Sequence, residues 1–391
     1  MSIEKELKNI SGLDEQKDRA TEYSKLLNTQ LEKKNLDALK EIISHIADDQ
    51  IPLIDSRPLM REFAEKITTL QAQDQLTIGK HLIECTKQRV TAFDEPLLKV
   101  RRALAEILEE EEEFEEAAKM LIGIQLQPVE GEKNEEICDI YVKIAQLYLE
   151  NGETVEAERF LRRSANLIKN IEKETLILRY KSCYARILDS NRKFLEASIN
   201  YYHLSHKARV DEVAIALTYA CNCAILAKAG PSRSRMLATL FKDERCSSIK
   251  VYHFLEKVYL ERILRTKEVE EFANTLKDHQ LAKFSDGTNV LTRSVMEHNL
   301  LAASKLYKNI SIKELGRLLG IEPERAEKIA SKMIQQKRLS GSIDQLSGMI
   351  EFEKEHSVLA WDRLIENLCT DVNNVVEELT IIDPKLVKGK K

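Results

Sequence analysis

The sequence predicts an all-α chain: a solenoid of helical hairpins (TPR-like or HEAT-like), then a winged-helix module with a small β-hairpin, then a C-terminal helix. Three observations carry that expectation. Glycine occurs 12 times and proline 7 times in 391 residues, below average usage of about 7% and 5%, so few turns are encoded. Charged residues make up 32% and aromatics 6%, and the abundant Leu, Ile, Ala, Glu, Lys and Arg favour helices. The third is internal repetition in the middle of the chain.

Residues 1–95 read as an N-terminal helical segment, with candidate helices over Ala20–Ala47, Arg57–Leu70 and Gln75–Ala92. Their breaks coincide with Pro52, Pro58 and Pro96. This segment does not align with the repeat that follows, and terminal repeats are often atypical.

Residues 96–289 read as the solenoid. One unit holds Leu104-Ala105, Leu108, Phe114, Glu116-Ala117 and Leu121. Forty residues on come Ile144-Ala145, Tyr148, Thr154, Glu156-Ala157 and Leu161, and forty further Tyr184-Ala185, Leu188, Phe194, Glu196-Ala197 and Tyr201. Each unit reads as two helices joined by a polar turn, with alanines where a neighbouring helix comes close. In the second unit Gly152 suits the left-handed C-cap. One hairpin cannot bury its apolar stripe alone, so neighbours must stack. A degenerate fourth unit spans Tyr219–Leu226 and Met236–Phe241, hinged at Gly230-Pro231.

Residues 290–353 read as a winged helix. Arg293–Tyr307 is an amphipathic helix, and Ile310-Ser311-Ile312 a short extended stretch. Ser311 with Glu314 forms a capping box for a helix that Gly320 closes. Pro323 opens the next helix, which runs to about Gln336. Alternation and glycines between Arg338 and Phe352 predict the β-hairpin. A winged helix raises the possibility of nucleic-acid binding. Residues 290–352 carry ten Lys/Arg against seven Asp/Glu, and the would-be recognition helix opens with Glu322, Glu324 and Glu327. Those carboxylates repel a phosphate backbone, so a protein-interaction winged helix is expected.

Residues 357–380 read as an assembly helix. Trp361, Ile365, Leu368, Val372, Val375 and Leu379 are spaced 4, 3, 4, 3, 4, a heptad seam on one face. Asp362, Glu366, Asp371, Glu377 and Glu378 lie off it. Such a helix can pack on its own domain, but the narrow seam favours partner helices from other subunits.

The net charge of −5 argues against a polyanion-binding protein. Seven cysteines, an odd number mostly within apolar helical stretches, suit free thiols in a reducing compartment. The start of the chain is charged and lacks the apolar run of a signal peptide. No stretch approaches 18 apolar residues, so no membrane span is expected. The eight histidines form no metal motif, Cys221 and Cys223 point apart on a helix, and no phosphate-binding glycine loop occurs. No cofactor and no catalytic group is therefore expected. The acidic run at 109–116 suits a solvated helix end, or a site for a basic partner. Arg233 and Arg235, after the Gly-Pro break, are candidate interface arginines, serving as inter-repeat ion pairs or as contacts to an acidic neighbour.

Helical hairpins running into a winged helix resemble the PCI family of scaffolds, found in the proteasome lid, the COP9 signalosome and a translation initiation factor. The stretch Arg233–Cys246 is similar to the fourth-subunit family of the COP9 signalosome, as are Glu297–Leu301, Ala303–Tyr307 and Ala326–Ser331. The resemblance covers most of the chain from about residue 97, while the tail Lys385–Lys391 departs from it. It implies a non-catalytic scaffold subunit of the cytoplasm and nucleus, in a complex that removes a ubiquitin-like modifier from cullins. Its implied partners are the other PCI subunits, the metalloprotease pair and the cullin-RING ligases that are the complex's substrates. Catalysis would belong to a separate zinc metalloprotease subunit, and the His-x-His pair of that chemistry is absent here. The resemblance also implies that the loop Ala282–Asn289, with Phe284, Asp286, Gly287 and Asn289, contacts and restrains the metalloprotease subunits. Another PCI scaffold, or a nucleic-acid-binding winged helix, are the alternatives.

Overall fold

The computed structural model describes residues 7, 10, 16–33, 35–48, 51–68, 70–87, 89, 92–124, 133–283, 287–353 and 357–382. The chain is all-α, a helical-hairpin solenoid leading into a winged helix, and divides into two compact units, residues 1–191 and 192–391.

The first unit opens with α1 (Gln16–Glu32), α2 (Leu36–Ala47), α3 (Leu53–Ile67) and α4 (Ala72–Cys85). The helix expected over Ala20–Ala47 is thus two helices. Asn35 is extended, and its side chain accepts from the Ala38 N–H at 3.3 Å, capping α2. Pro58, expected at a break, lies inside α3. It removes one helical N–H, but the carbonyl it orphans belongs to the exposed Ile54, where water can serve it. Pro96 falls in the first turn of α5 (Asp94–Glu110), where a missing N–H has no partner to lose. Gly79 of α4 meets α5 closely, since a Cβ there would lie 2.7 Å from Leu104 Cδ1.

The repeat continues with α6 (Phe114–Ile122), α7 (Lys133–Glu150), α8 (Thr154–Ser164) and α9 (Glu174–Ser190). Its register is written in the backbone. Glu112, Gly152 and Arg192, forty residues apart, are all left-handed, with φ of 62°, 81° and 59°. For Glu112 and Arg192 that conformation costs about 1 kcal/mol, so the turn geometry is imposed by the helices it joins. Ala145, Ala157, Ala185 and Ala197 are fully buried. Tyr184 breaks the pattern. It occupies the position of the buried Leu104 and Ile144 but is 39% exposed, stacked on Tyr180 at 6.4 Å, with a phenol that favours a wet edge.

One apolar core runs from Leu7 to Ile187, so the N-terminal helices and the repeats share it. Ion pairs join each hairpin to the next: Lys143 with Glu109 at 2.5 Å, Arg179 with Asp139 at 2.7 Å, and Arg186 with Glu150 at 2.7 Å. Exposed pairs of this kind contribute about 0–1 kcal/mol each. Within the acidic run Glu109, Glu115 and Glu116 pair with Lys143, Lys119 and Lys80.

The second unit contains α10 (Phe194–Ser205), α11 (Val210–Leu226), α12 (Pro231–Lys242), α13 (Tyr252–Tyr259) and α14 (Thr266–Ala273). The winged helix follows as α15 (Val290–Leu306), β1 (Asn309–Ser311), α16 (Ile312–Leu319), α17 (Pro323–Gln335), β2 (Gly341–Asp344) and β3 (Met349–Phe352). The Ser311 side chain accepts from the Glu314 N–H at 3.2 Å, and Gly320 closes α16 at φ 67°. The extended stretch before α16 is a third strand. The sheet order is β1-β3-β2, antiparallel, with Ile310 opposite Ile350. Leu300, Leu315, Ala330, Met333 and Ile350 form the module's core. Gln345 at the wing donates to Glu327 of α17 at 2.6 Å, so one of the three carboxylates helps hold the wing.

Candidate assembly surface

The C-terminal helix, α18 (Ser357–Ile382), is the one place where large apolar side chains gather in the open among the described residues. Trp361, Ile365, Leu368, Val372 and Val375 are 52–66% exposed. The side chain of Leu379, the sixth seam position, lies outside the described residues. At 1.5 Å per residue the seam is about 27 Å long. Leu364 and Val376 are also exposed, and sequence reasoning missed both. They flank the seam on either side, at the g and e positions of the heptad. The apolar stripe is therefore wider than a two-stranded seam and suits a bundle of several helices. Asp362, Glu366, Asp371, Glu377 and Glu378 are all exposed, so the rim of the stripe is acidic.

The loop entering the winged helix is pinned at its base. Lys283 and Asn289 form an antiparallel bridge, and the Val290 N–H donates to the Ala282 carbonyl at 3.3 Å. Gly287 is left-handed at φ 74°. Phe284 and Asp286 lie outside the described residues, as does the tail 385–391.

The two candidate arginines part company. Arg235 is exposed, but Arg233 is buried. Its guanidinium donates to the carbonyls of Ala224 at 3.1 Å and Ile225 at 2.8 Å, capping the C-terminal end of α11, where helix carbonyls lack donors. Burial lowers its pKa to about 10, with Glu297 opposing. Arg233 is therefore an internal cap, not a surface group. Ser294 of α15 donates to the same Ile225 carbonyl at 2.7 Å, tying α11 to the winged helix. His298 of α15 donates through Nε2 to the Arg262 carbonyl at 2.9 Å, a bond that reaches outside the winged helix. Burial and then the Arg233 charge push its pKa down to about 4.

Among the described residues no group of His, Cys, Asp and Glu is placed to hold a metal. No helix there is long and apolar enough to cross a membrane. The seven cysteines are free, with Cys138, Cys183, Cys221, Cys223 and Cys246 buried.

A family model described as PSMD12/CSN4, N-terminal, matches residues 1–213, and a PCI domain model matches residues 247–354. The chain is 44% identical over 377 residues to COP9 signalosome complex subunit 4 of Dictyostelium discoideum, covering 96% of both chains. It is 43% identical over 389 residues to the Arabidopsis thaliana subunit of that name, covering 96% of this chain and 97% of the relative. For the Drosophila melanogaster subunit the identity is 42% over 376 residues, covering 94% and 92%. On these grounds the chain belongs to the COP9 signalosome complex subunit 4 family.

Proposed function

We propose that the protein is held in a COP9 signalosome by α18, and that it supports removal of a ubiquitin-like modifier from cullins by a separate metalloprotease subunit. The chain is a non-catalytic PCI scaffold, as its family is. The observation that carries the assembly reading is the seam itself, five large apolar side chains more than half exposed along one helix. Left in water, such a stripe is costly, and burial against partner helices contributes roughly 1.5–3 kcal/mol per large side chain before ordering costs. In the same reading the pinned loop at 282–289 reaches the metalloprotease subunits, Arg235 meets a neighbouring subunit, and the protein works in cytoplasm and nucleus.

Affinity purification of the tagged full-length chain, followed by mass spectrometry, tests this. Signalosome subunits, the metalloprotease among them, should co-purify. Recovery of proteasome-lid or initiation-factor subunits in their place would contradict it. The purified chain alone should not cleave a modified cullin.

A further inference from the structure

We propose that the cleft between α10, α11, α15 and α17 docks an acidic peptide segment of a partner protein, one that carries apolar side chains among its carboxylates. The cleft measures about 640 Å³ and lies wholly within the second unit, in the size range of roughly 300–1,000 Å³ usual for binding sites.

Its lining is out of character for a chain of net charge −5. Six cations line it, Arg192, Lys193, Lys228, Arg293, Lys332 and Arg338, against the two carboxylates of Glu196 and Glu297. Glu297 is already committed: Arg338 donates to it at 2.5 and 3.2 Å, and Arg293 approaches at 3.8 Å. The exposed side chains of Lys193, Lys228 and Lys332 have no ion pair among the described residues. Cations of one sign in a low-dielectric cleft focus their field and attract carboxylates.

The floor decides the class of occupant. Phe194, Leu226 and Val290 line the same cleft and are buried. Phosphate groups gain nothing from that apolar floor. A peptide with leucines between acidic residues satisfies both the floor and the rim, as interface cores and rims generally divide. This site is separate from the seam of α18 and does not depend on it.

The test uses the full-length chain and the fluorescein-labelled octapeptide Glu-Asp-Leu-Glu-Asp-Leu-Glu-Asp in an anisotropy titration. Saturable binding is expected, weakening with salt as exposed charge pairs do. The double variant Lys228→Glu/Lys332→Glu should bind about tenfold more weakly or worse, and Lys193→Glu should weaken binding in the same direction. All three lysines are exposed, so circular dichroism should match that of the unaltered chain. A peptide with serines replacing the leucines should bind more weakly than the probe. The proposal is overturned by absence of saturable binding at low salt, or by charge-reversed variants that bind unchanged. It is equally overturned if tripolyphosphate displaces the probe and the leucines make no difference, which would assign the cleft to a free polyphosphate.

Discussion

Arg338 and Glu297, forty-one residues apart, form a largely buried two-pronged ion pair, with bonds of 2.5 and 3.2 Å and side chains 13% and 6% exposed. Arg338 also donates to the Ala229 carbonyl at 3.2 Å. One guanidinium thus joins the entry to the wing, the first helix of the winged helix, and the turn after α11.

Removing one partner of a buried pair strands the other charge, which typically costs about 3–5 kcal/mol. Arg338→Ala should therefore destabilise the second unit by about 3 kcal/mol, at the lower end because Arg293 stays near Glu297 at 3.8 Å. Replacing both, as Arg338→Met with Glu297→Leu, should cost less than the single change. A double-mutant cycle in urea measures this, and additive losses would mean the two side chains are not coupled.

Ala157 of α8 is fully buried, and leucine there should overpack and cost about 1–3 kcal/mol. Tyr184→Ala should cost much less than Ile144→Ala, since Tyr184 is partly exposed and Ile144 is not. Thermal unfolding of the three variants gives the ranking. Equal losses for Tyr184 and Ile144 would place both in the core.

His298 makes the second unit sensitive to acid. Its folded pKa of about 4 lies below the unfolded value of 6.5, so the unfolded chain binds the proton first. Above about pH 6.5 both states are neutral and the residue adds no pH dependence. As pH falls from 6.5 toward 4, stability should drop by up to roughly 3 kcal/mol. Denaturant melts across that range should show a slope that His298→Gln reduces. An identical slope in the variant would assign the acid sensitivity to other groups.

Deleting the loop between Lys283 and Asn289 should leave the winged helix folded, because the bridge at its base is local. It should change the basal activity of the assembled complex toward a small reporter substrate. Unchanged activity would separate the loop from the metalloprotease subunits.

Much of this fold is legible in the sequence because helices announce themselves locally. The forty-residue spacing located the turns at 112, 152 and 192, and the Ser311, Gly320 and Pro323 signals located α16 and α17. What stayed hidden depends on contacts made far along the chain. Arg233 reads as a surface cation until α11 places two orphan carbonyls beside it. Asn35 splits a continuous apolar pattern through one side-chain bond. Pro58 reads as a break, yet it is tolerated near the start of α3, where the residue four before it, Ile54, is exposed. The seam of α18 is visible as spacing, but that its side chains stand exposed and not in the core of the folded chain is not.

Truncation after Val358 asks directly whether α18 is that surface. The seam of Trp361, Ile365, Leu368, Val372 and Val375 is exposed in the isolated chain, so its loss removes no core. The shortened protein should keep its melting transition, and lose only the circular dichroism of α18, yet fail to co-purify with the other signalosome subunits. A truncated protein that unfolds, or one that folds and still joins the complex stably, would contradict the assignment of α18 as the principal assembly contact.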